Sequence, residues 1–193
     1  MAGKQVNELD VLPSFTDNSL LPVHNGAGLK KGLLSQLASY LGNKFSNPNL
    51  LINPDFKINQ RGSTIYTTGY TVDRWRITSA TLNATTKTLS NSNSASGTFL
   101  QSLENKPTGT FTVTLNVASV TGTVKFSWKD GSTYKTGVTI SKGLNTYTFT
   151  ASSLTWVGID IASGASVQLN YMKLEESSVA TPFIKPNKAE ELA

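Results

Sequence analysis

Residues 50–75 read LLINPDFKINQRGSTIYTTGYTVDRW. The stretch opens on an apolar, strand-like segment, Leu50–Ile58. It passes through a polar turn, Asn59-Gln60-Arg61-Gly62, in which glycine is free to take a positive φ. It closes on Asp73-Arg74-Trp75. Leu51, Phe56, Ile58 and Trp75 are expected in a core. Arg61 and Arg74 are expected to pair with Asp73 or Glu175, tying the first strands to the last. The run reads as the start of a jelly-roll sandwich.

Downstream the pattern stays β to residue 175. Candidate strands are Tyr70–Thr78, Thr81–Leu89, Gly97–Leu103, Thr110–Val117, Thr123–Trp128, Tyr134–Ile140, Thr146–Thr150, Thr155–Ile161 and Ser166–Glu175. Alternation is clearest at Phe111, Val113, Leu115 and Val117, and again at Val167, Leu169 and Tyr171. Lys129-Asp130-Gly131-Ser132 is a hairpin signal, because Asp-Gly accepts the positive φ of a type I′ turn. Lys142-Gly143 and Ser163-Gly164 mark further turns, and Asn91 to Ser96 reads as an exposed loop. Short strands at regular spacing with no helical interludes imply a sandwich or jelly roll.

Upstream the sequence changes character. Pro13, Pro22, Gly26 and Gly28 interrupt regular structure through residue 29, and Val11-Leu12 and Leu20-Leu21 give an extended arm short apolar anchors. From Lys30 to Phe45, Leu34, Leu37, Leu41 and Phe45 recur at helical spacing, with Leu33 and Tyr40 widening the stripe. Asn47-Pro48 ends that helix. One amphipathic helix is marginal alone in water. Its stripe therefore packs on the sandwich or on copies of itself, and a homotrimer through Leu34, Leu37, Leu41 and Phe45 is the expected assembly. The expected organisation is mainly β: an anchoring arm and short helix over 1–49, then a jelly roll over 50–193.

Composition narrows the chemistry. Charged residues make up 15% of the 193, below the usual quarter, while Ser, Thr, Asn and Gly abound as strands and turns require. The net charge is +5 but the basic residues are scattered, so no nucleic-acid partner is expected. With no cysteine and a single histidine, His24, neither disulfides nor transition-metal sites nor Ser-His and Cys-His pairs are available. His24 itself, in Pro-Val-His-Asn-Gly, reads as a turn or interface residue. No cofactor motif occurs, and no apolar run suggests membrane insertion. The start, MAGKQVNELD, lacks a secretory signal's apolar core, and synthesis in a cytoplasm is expected.

A glycosidase-like pair would have to come from Asp55, Asp73, Glu104, Asp130, Asp160 and Glu175, whose spacing supports none. Asp130 is accounted for by its turn, and Asp160 alternates with apolar neighbours and faces solvent. No catalytic residue and no resident metal is expected; a calcium site from Asn53, Asp55 or Asp160 has no spacing in its favour. Sugar binding is the sharper expectation, since it needs rings with amides and carboxylates around them. Trp75 and Trp156 read as core, whereas Trp128 and Tyr134, flanking the Asp-Gly hairpin, are the candidates for an exposed platform.

Asn53-Pro54-Asp55-Phe56-Lys57-Ile58-Asn59-Gln60-Arg61-Gly62 followed by Asp73-Arg74-Trp75 resembles the start of a jelly-roll domain of tailed-phage and prophage virion proteins. Lys173-Leu174-Glu175 and Ser178-Val179-Ala180-Thr181-Pro182-Phe183 resemble its close. The same ends are more loosely similar to family 4/9-type carbohydrate-binding modules. Val6, Leu9, Asp17, Leu20-Leu21-Pro22-Val23 and Lys30-Lys31 resemble the attachment segment of phage fibres. The resemblance implies a non-enzymatic virion protein, assembled in the host cytoplasm and docked on capsid, collar or tail, with host surface glycans as ligands of its knob. With no repetitive shaft, it implies a short appendage, or else a capsid or tail decoration protein. A polysaccharide-acting enzyme is the remotest alternative.

Overall fold

The computed structural model describes residues 20–24, 29–33 and 46–185. The chain divides at Ser46/Asn47 into two units. In the first, β1 (Leu20–His24) pairs antiparallel with β2 (Leu29–Leu33), placing Leu20 opposite Leu33 and His24 opposite Leu29. Lys30–Leu33, expected to begin a helix, is thus extended. Gly32 sits in the middle of it, where a helix would lose about 1 kcal/mol relative to alanine, and Leu20–His24 offers a ladder of hydrogen bonds instead. Leu34, Leu37, Leu41 and Phe45 lie outside the described residues.

The second unit is an all-β sandwich, and among its described residues there is no helix. Its strands are β3 (Ile65–Tyr66), β4 (Gly69–Tyr70), β5 (Trp75–Thr78), β6 (Thr81–Asn83), β7 (Thr88–Ser90), β8 (Gly97–Ser102), β9 (Gly109–Thr121), β10 (Val124–Asp130), β11 (Thr133–Thr139), β12 (Gly143–Ala151), β13 (Leu154–Ile161) and β14 (Ser166–Glu176). They form two antiparallel six-stranded sheets, β11-β10-β13-β8-β5-β4 and β12-β9-β14-β7-β6-β3. The chain crosses between sheets at almost every connection after β8, the jelly-roll pattern read from the sequence.

Period-two patterning builds the interior. Val157, Ile159 and Ile161 of β13 face Val113, Leu115, Leu169 and Leu174 across the gap, all essentially buried. Trp75 stacks on Phe99 at 4.7 Å and meets Phe56 edge-on at 5.0 Å, while Phe126, Trp128 and Phe149 form a second aromatic group. Leu51, Phe56, Ile58 and Trp75 are core, as expected.

Leu50–Ile58 is not a strand, although its composition suggested one. Asn53 and Phe56 take positive φ of 50° and 58°, which breaks any ladder. Its backbone meets β14 at two isolated bonds, Leu50 N to Leu174 O and Met172 N to Pro54 O. Amide side chains replace the missing partner strand. Gln101 of β8 bonds both the N–H and the carbonyl of Ile52, at 2.8 and 2.7 Å. Asn53 does the same for Ile58 at 2.9 Å each, and Asn49 accepts from Leu174 N at 3.0 Å. The segment thereby bridges the two sheets. The turn after it matches expectation, with Gly62 at φ 70°.

The expected arginine clasp is replaced by a different one. Arg74 pairs with Glu104 at 2.7 Å and Arg61 lies over the Tyr70 ring, while Glu175 pairs with Lys173. Lys173 and Glu175 sit on the outer side of β14, almost wholly buried beneath residues 177–185. Lys173 Nζ donates to Thr181 O, Thr181 Oγ1 and Pro182 O, and Glu175 accepts from Thr181 N and Oγ1. Phe183 stacks on Tyr171 at 4.0 Å. The C-terminal segment thus covers the centre of one sheet's outer face, including Thr112 of β9, whose Oγ1 donates to Ser177 O at 2.8 Å.

Candidate functional site

Register places a second set of side chains on the outer face of the opposite sheet. With Trp75 and Ile77 pointing inward, Arg76 points out, opposite Tyr70 on β4 and Leu100 on β8. Leu100 faces Gly158 on β13, Gly158 faces Ser127 on β10, and Ser127 faces Thr136 on β11. This row crosses all six strands, about 24 Å at roughly 4.8 Å per strand. The row on one side of it carries Ser102, Trp156, Lys129 and Tyr134, and the row on the other side carries Thr98, Asp160 and Lys125.

The middle of the face is a floor of small residues. A side chain at Gly158 would put its Cβ 2.2 Å from Phe99 O and 2.7 Å from Leu100 Cα, so only glycine lets β13 and β8 approach as they do. Ser127 beside it is buried. Rings rise at the edges: Trp156 half-buried, Tyr134 49% exposed, and Tyr70 60% exposed. Tyr134 and Trp156 lie 5.6 Å apart at 49°.

Polar groups fix this arrangement. The Tyr134 hydroxyl donates to Asp160 Oδ2, and Ser127 Oγ donates to Asp160 Oδ1 at 3.1 Å. Burial pushes the Asp160 carboxyl above the usual carboxylate range, against the Ser127 hydrogen bond and the charge of Lys125, which pull it down. Beyond Ser102 the face continues into a cleft of about 230 Å³ lined by Ile52, Arg74, Leu103 and Glu104.

The two residues expected to form a platform are separated. Lys129 opposes Tyr134 and Trp128 opposes Lys135, so Trp128 and Tyr134 point to opposite faces of their sheet. Trp128 is 6% exposed and packs on Phe126 and Phe149, which corrects its reading as an exposed ring. Tyr134 is on the open face. Trp156, read as core, joins it there. The signal for Trp156 was present: Val157, Ile159 and Ile161 alternate inward, which sends Trp156, Gly158 and Asp160 out together. Asp160 does face outward.

The other acids are engaged elsewhere. The hairpin turn is Gly131-Ser132 with positive φ only at Gly131, a type II′ pattern, so Asp130 ends β10 and is not a turn residue. Asp130 accepts from Ser152 N, Ser153 N and Lys135 Nζ, and these bonds, Lys135's foremost, lower its pKa to about 2. Asp55 pairs with Lys57, and Asn53 is spent on Ile58 and Asp73. Among the described residues no three His, Asp or Glu gather to hold a metal, and no helix is long and apolar enough to cross a membrane.

No family model matches the chain, and no curated protein matches it in sequence. Solved structures similar to it include a family 61 carbohydrate-binding module in complex with β-1,4-galactotriose, at 14% identity and a TM-score of 0.36 over 67% of this chain and 99% of that one. A point mutant of a family 29 carbohydrate-binding module is 10% identical with a TM-score of 0.41, over 64% and 89% respectively. The N-terminal cellulose-binding domain of Cellulomonas fimi β-1,4-glucanase C is 17% identical with a TM-score of 0.33, over 64% and 94%.

Proposed function

We propose that the sandwich is a non-catalytic glycan-binding domain whose ligand lies across the outer face of β11-β10-β13-β8-β5-β4. The observation that carries this reading is the face itself: Trp156, Tyr134 and Tyr70 stand around the Gly158–Ser127 floor, with hydroxyls and cations between them. Sugar rings present apolar C–H faces to aromatic rings and hydroxyls to polar groups, so such a surface suits them on both counts. The rings are also pre-set, Tyr134 by its bond to Asp160, which lowers the ordering cost of binding. Calorimetric titration with a panel of soluble polysaccharides tests it. Trp156→Ala is expected to weaken binding by about thirtyfold, the loss typical of a central aromatic anchor, while Tm stays close to that of the parent. Absence of binding by the parent at millimolar sugar, or unchanged binding by the variant, would sink the reading.

The wider setting we propose is a tailed-phage particle, with residues 1–46 as the attachment unit and the sandwich as the displayed knob. It rests on the resemblance of both ends of the sandwich to virion jelly rolls and on the division of the chain at Ser46/Asn47. Assembly as a trimer through Leu34, Leu37, Leu41 and Phe45 belongs to the same proposal. Cosedimentation of the full chain with purified particles tests it, against a Leu34→Asp, Leu37→Asp variant; equal cosedimentation of the two, or none by either, counts against it.

A further inference from the structure

Three cations stand on the proposed ligand face: Lys125 and Lys129 of β10 and Arg76 of β5. Among the described residues none of them is held in an ion pair. The reason is local. Lys125 lies directly opposite Asp160 in the register, yet both Asp160 oxygens are taken, one by Ser127 Oγ and the other by the Tyr134 hydroxyl. The carboxylate on these rows is thus already hydrogen-bonded at both oxygens, and Lys125 beside it is exposed and forms no ion pair with it. Lys129 lies opposite Trp156 on one side and Tyr134 on the other, so an ammonium group flanks both rings. Arg76 plays the same part near Tyr70, where Arg61 adds a further cation 5.7 Å from the ring centre.

A face built for neutral sugar has no need of unpaired cations beside its rings. Like charges on one face, such as Lys125 and Lys129 four residues apart on β10, repel one another weakly. They become favourable when an anion sits between them. Each exposed pair formed in this way contributes little by itself, of the order of a few-fold in affinity. Several acting on one chain set its selectivity and speed its approach.

Resting on the glycan-binding reading above, we infer that the ligand class is anionic polysaccharide: sugar rings stacked on Trp156 and Tyr134, with carboxylate or sulfate substituents reaching Lys125, Lys129 and Arg76.

The test uses the full chain and five probes: polygalacturonate, dextran sulfate, unmodified dextran, neutral galactan and poly-glutamate. Polygalacturonate or dextran sulfate should bind, the two arms separating carboxylate from sulfate recognition, and binding should weaken as salt rises from roughly 50 to 300 mM and the screening length shortens. Lys125→Gln with Lys129→Gln should reduce that binding about tenfold, two exposed pairs' worth, without altering Tm. Trp156→Ala should weaken it about thirtyfold. Poly-glutamate should not bind, because it has charge without sugar rings. Binding of dextran or galactan as tight as that of the acidic polymers, with no salt dependence, overturns this inference and leaves the glycan reading standing. Poly-glutamate binding as tightly as polygalacturonate overturns it as simple ion exchange. Failure of all five to bind overturns both.

Discussion

At Asn53 two demands meet in one residue. The backbone needs φ of 50°, which asparagine tolerates better than most side chains, and Ile58 needs a partner for both its N–H and its carbonyl. Asn53→Ala would leave the Ile58 N–H unpaired, while its carbonyl keeps the bond from Asp73 N–H, and should cost about 1–3 kcal/mol, the range for one buried group left unsatisfied. Urea denaturation would read this as a lower midpoint with an unchanged slope. Asp130 gives a pH-dependent counterpart. Its folded pKa is about 2, below the unfolded carboxylate value, so the stability it contributes is present above about pH 4. That contribution is lost as pH falls through about 2. Asp130→Asn should lower Tm at pH 6, and the gap to the parent should close near pH 2. A gap independent of pH would show that the Lys135, Ser152 and Ser153 bonds do not depend on its charge. Neither role was legible in the sequence, because Asn-Pro and Asp-Gly both signal turns and say nothing of distant partners.

Strand by strand, the chain was readable where one face is buried and the other wet. β9 and β13 alternate along their length, and their positions followed from that. In β14 the alternation holds from Val167 to Leu169, and a bulge then turns Tyr171 outward and Met172 inward, against the reading of Tyr171 with Val167 and Leu169. Period two also fixes which residues share the open face, so Trp156 could have been placed on the same side as Asp160. What overrode the rule was the size of tryptophan, which favours a core reading wherever it occurs. Leu50–Ile58 failed for the opposite reason: its apolar residues fill the gap between the sheets from an irregular backbone, and a burial pattern cannot distinguish that from a strand. The same holds for Leu29–Leu33, whose partner is set by pairing and not by period. The segment after β14 depends on a buried charge pair. Lys173→Met would strand Glu175 in a site from which water is excluded, at a cost of about 3–5 kcal/mol. Thr181 N–H should then lose its protection from hydrogen exchange. Replacing both, Lys173→Met with Glu175→Leu, should recover most of the loss in global stability but not the protection at Thr181. Retained protection in the single variant would mean that the Phe183–Tyr171 stack alone holds the segment.

For the whole molecule, the two outer faces have different fates. One has its centre roofed by residues 177–185, and the other is left open with its rings and cations. On the glycan-binding reading proposed above, that asymmetry sets a valence: the described residues of each sandwich offer one face along which a polymer would lie, so a lone copy would terminate a contact and not bridge two chains. Mixed with a long polysaccharide, a single-copy protein should coat it and stay in solution, with turbidity flat at every ratio. An assembly of several copies would instead cross-link the polymer and precipitate near equivalence, gaining avidity from copy number without any new contact. Turbidity against mixing ratio, read beside light scattering of the protein alone, therefore counts how many knobs one particle of this protein carries.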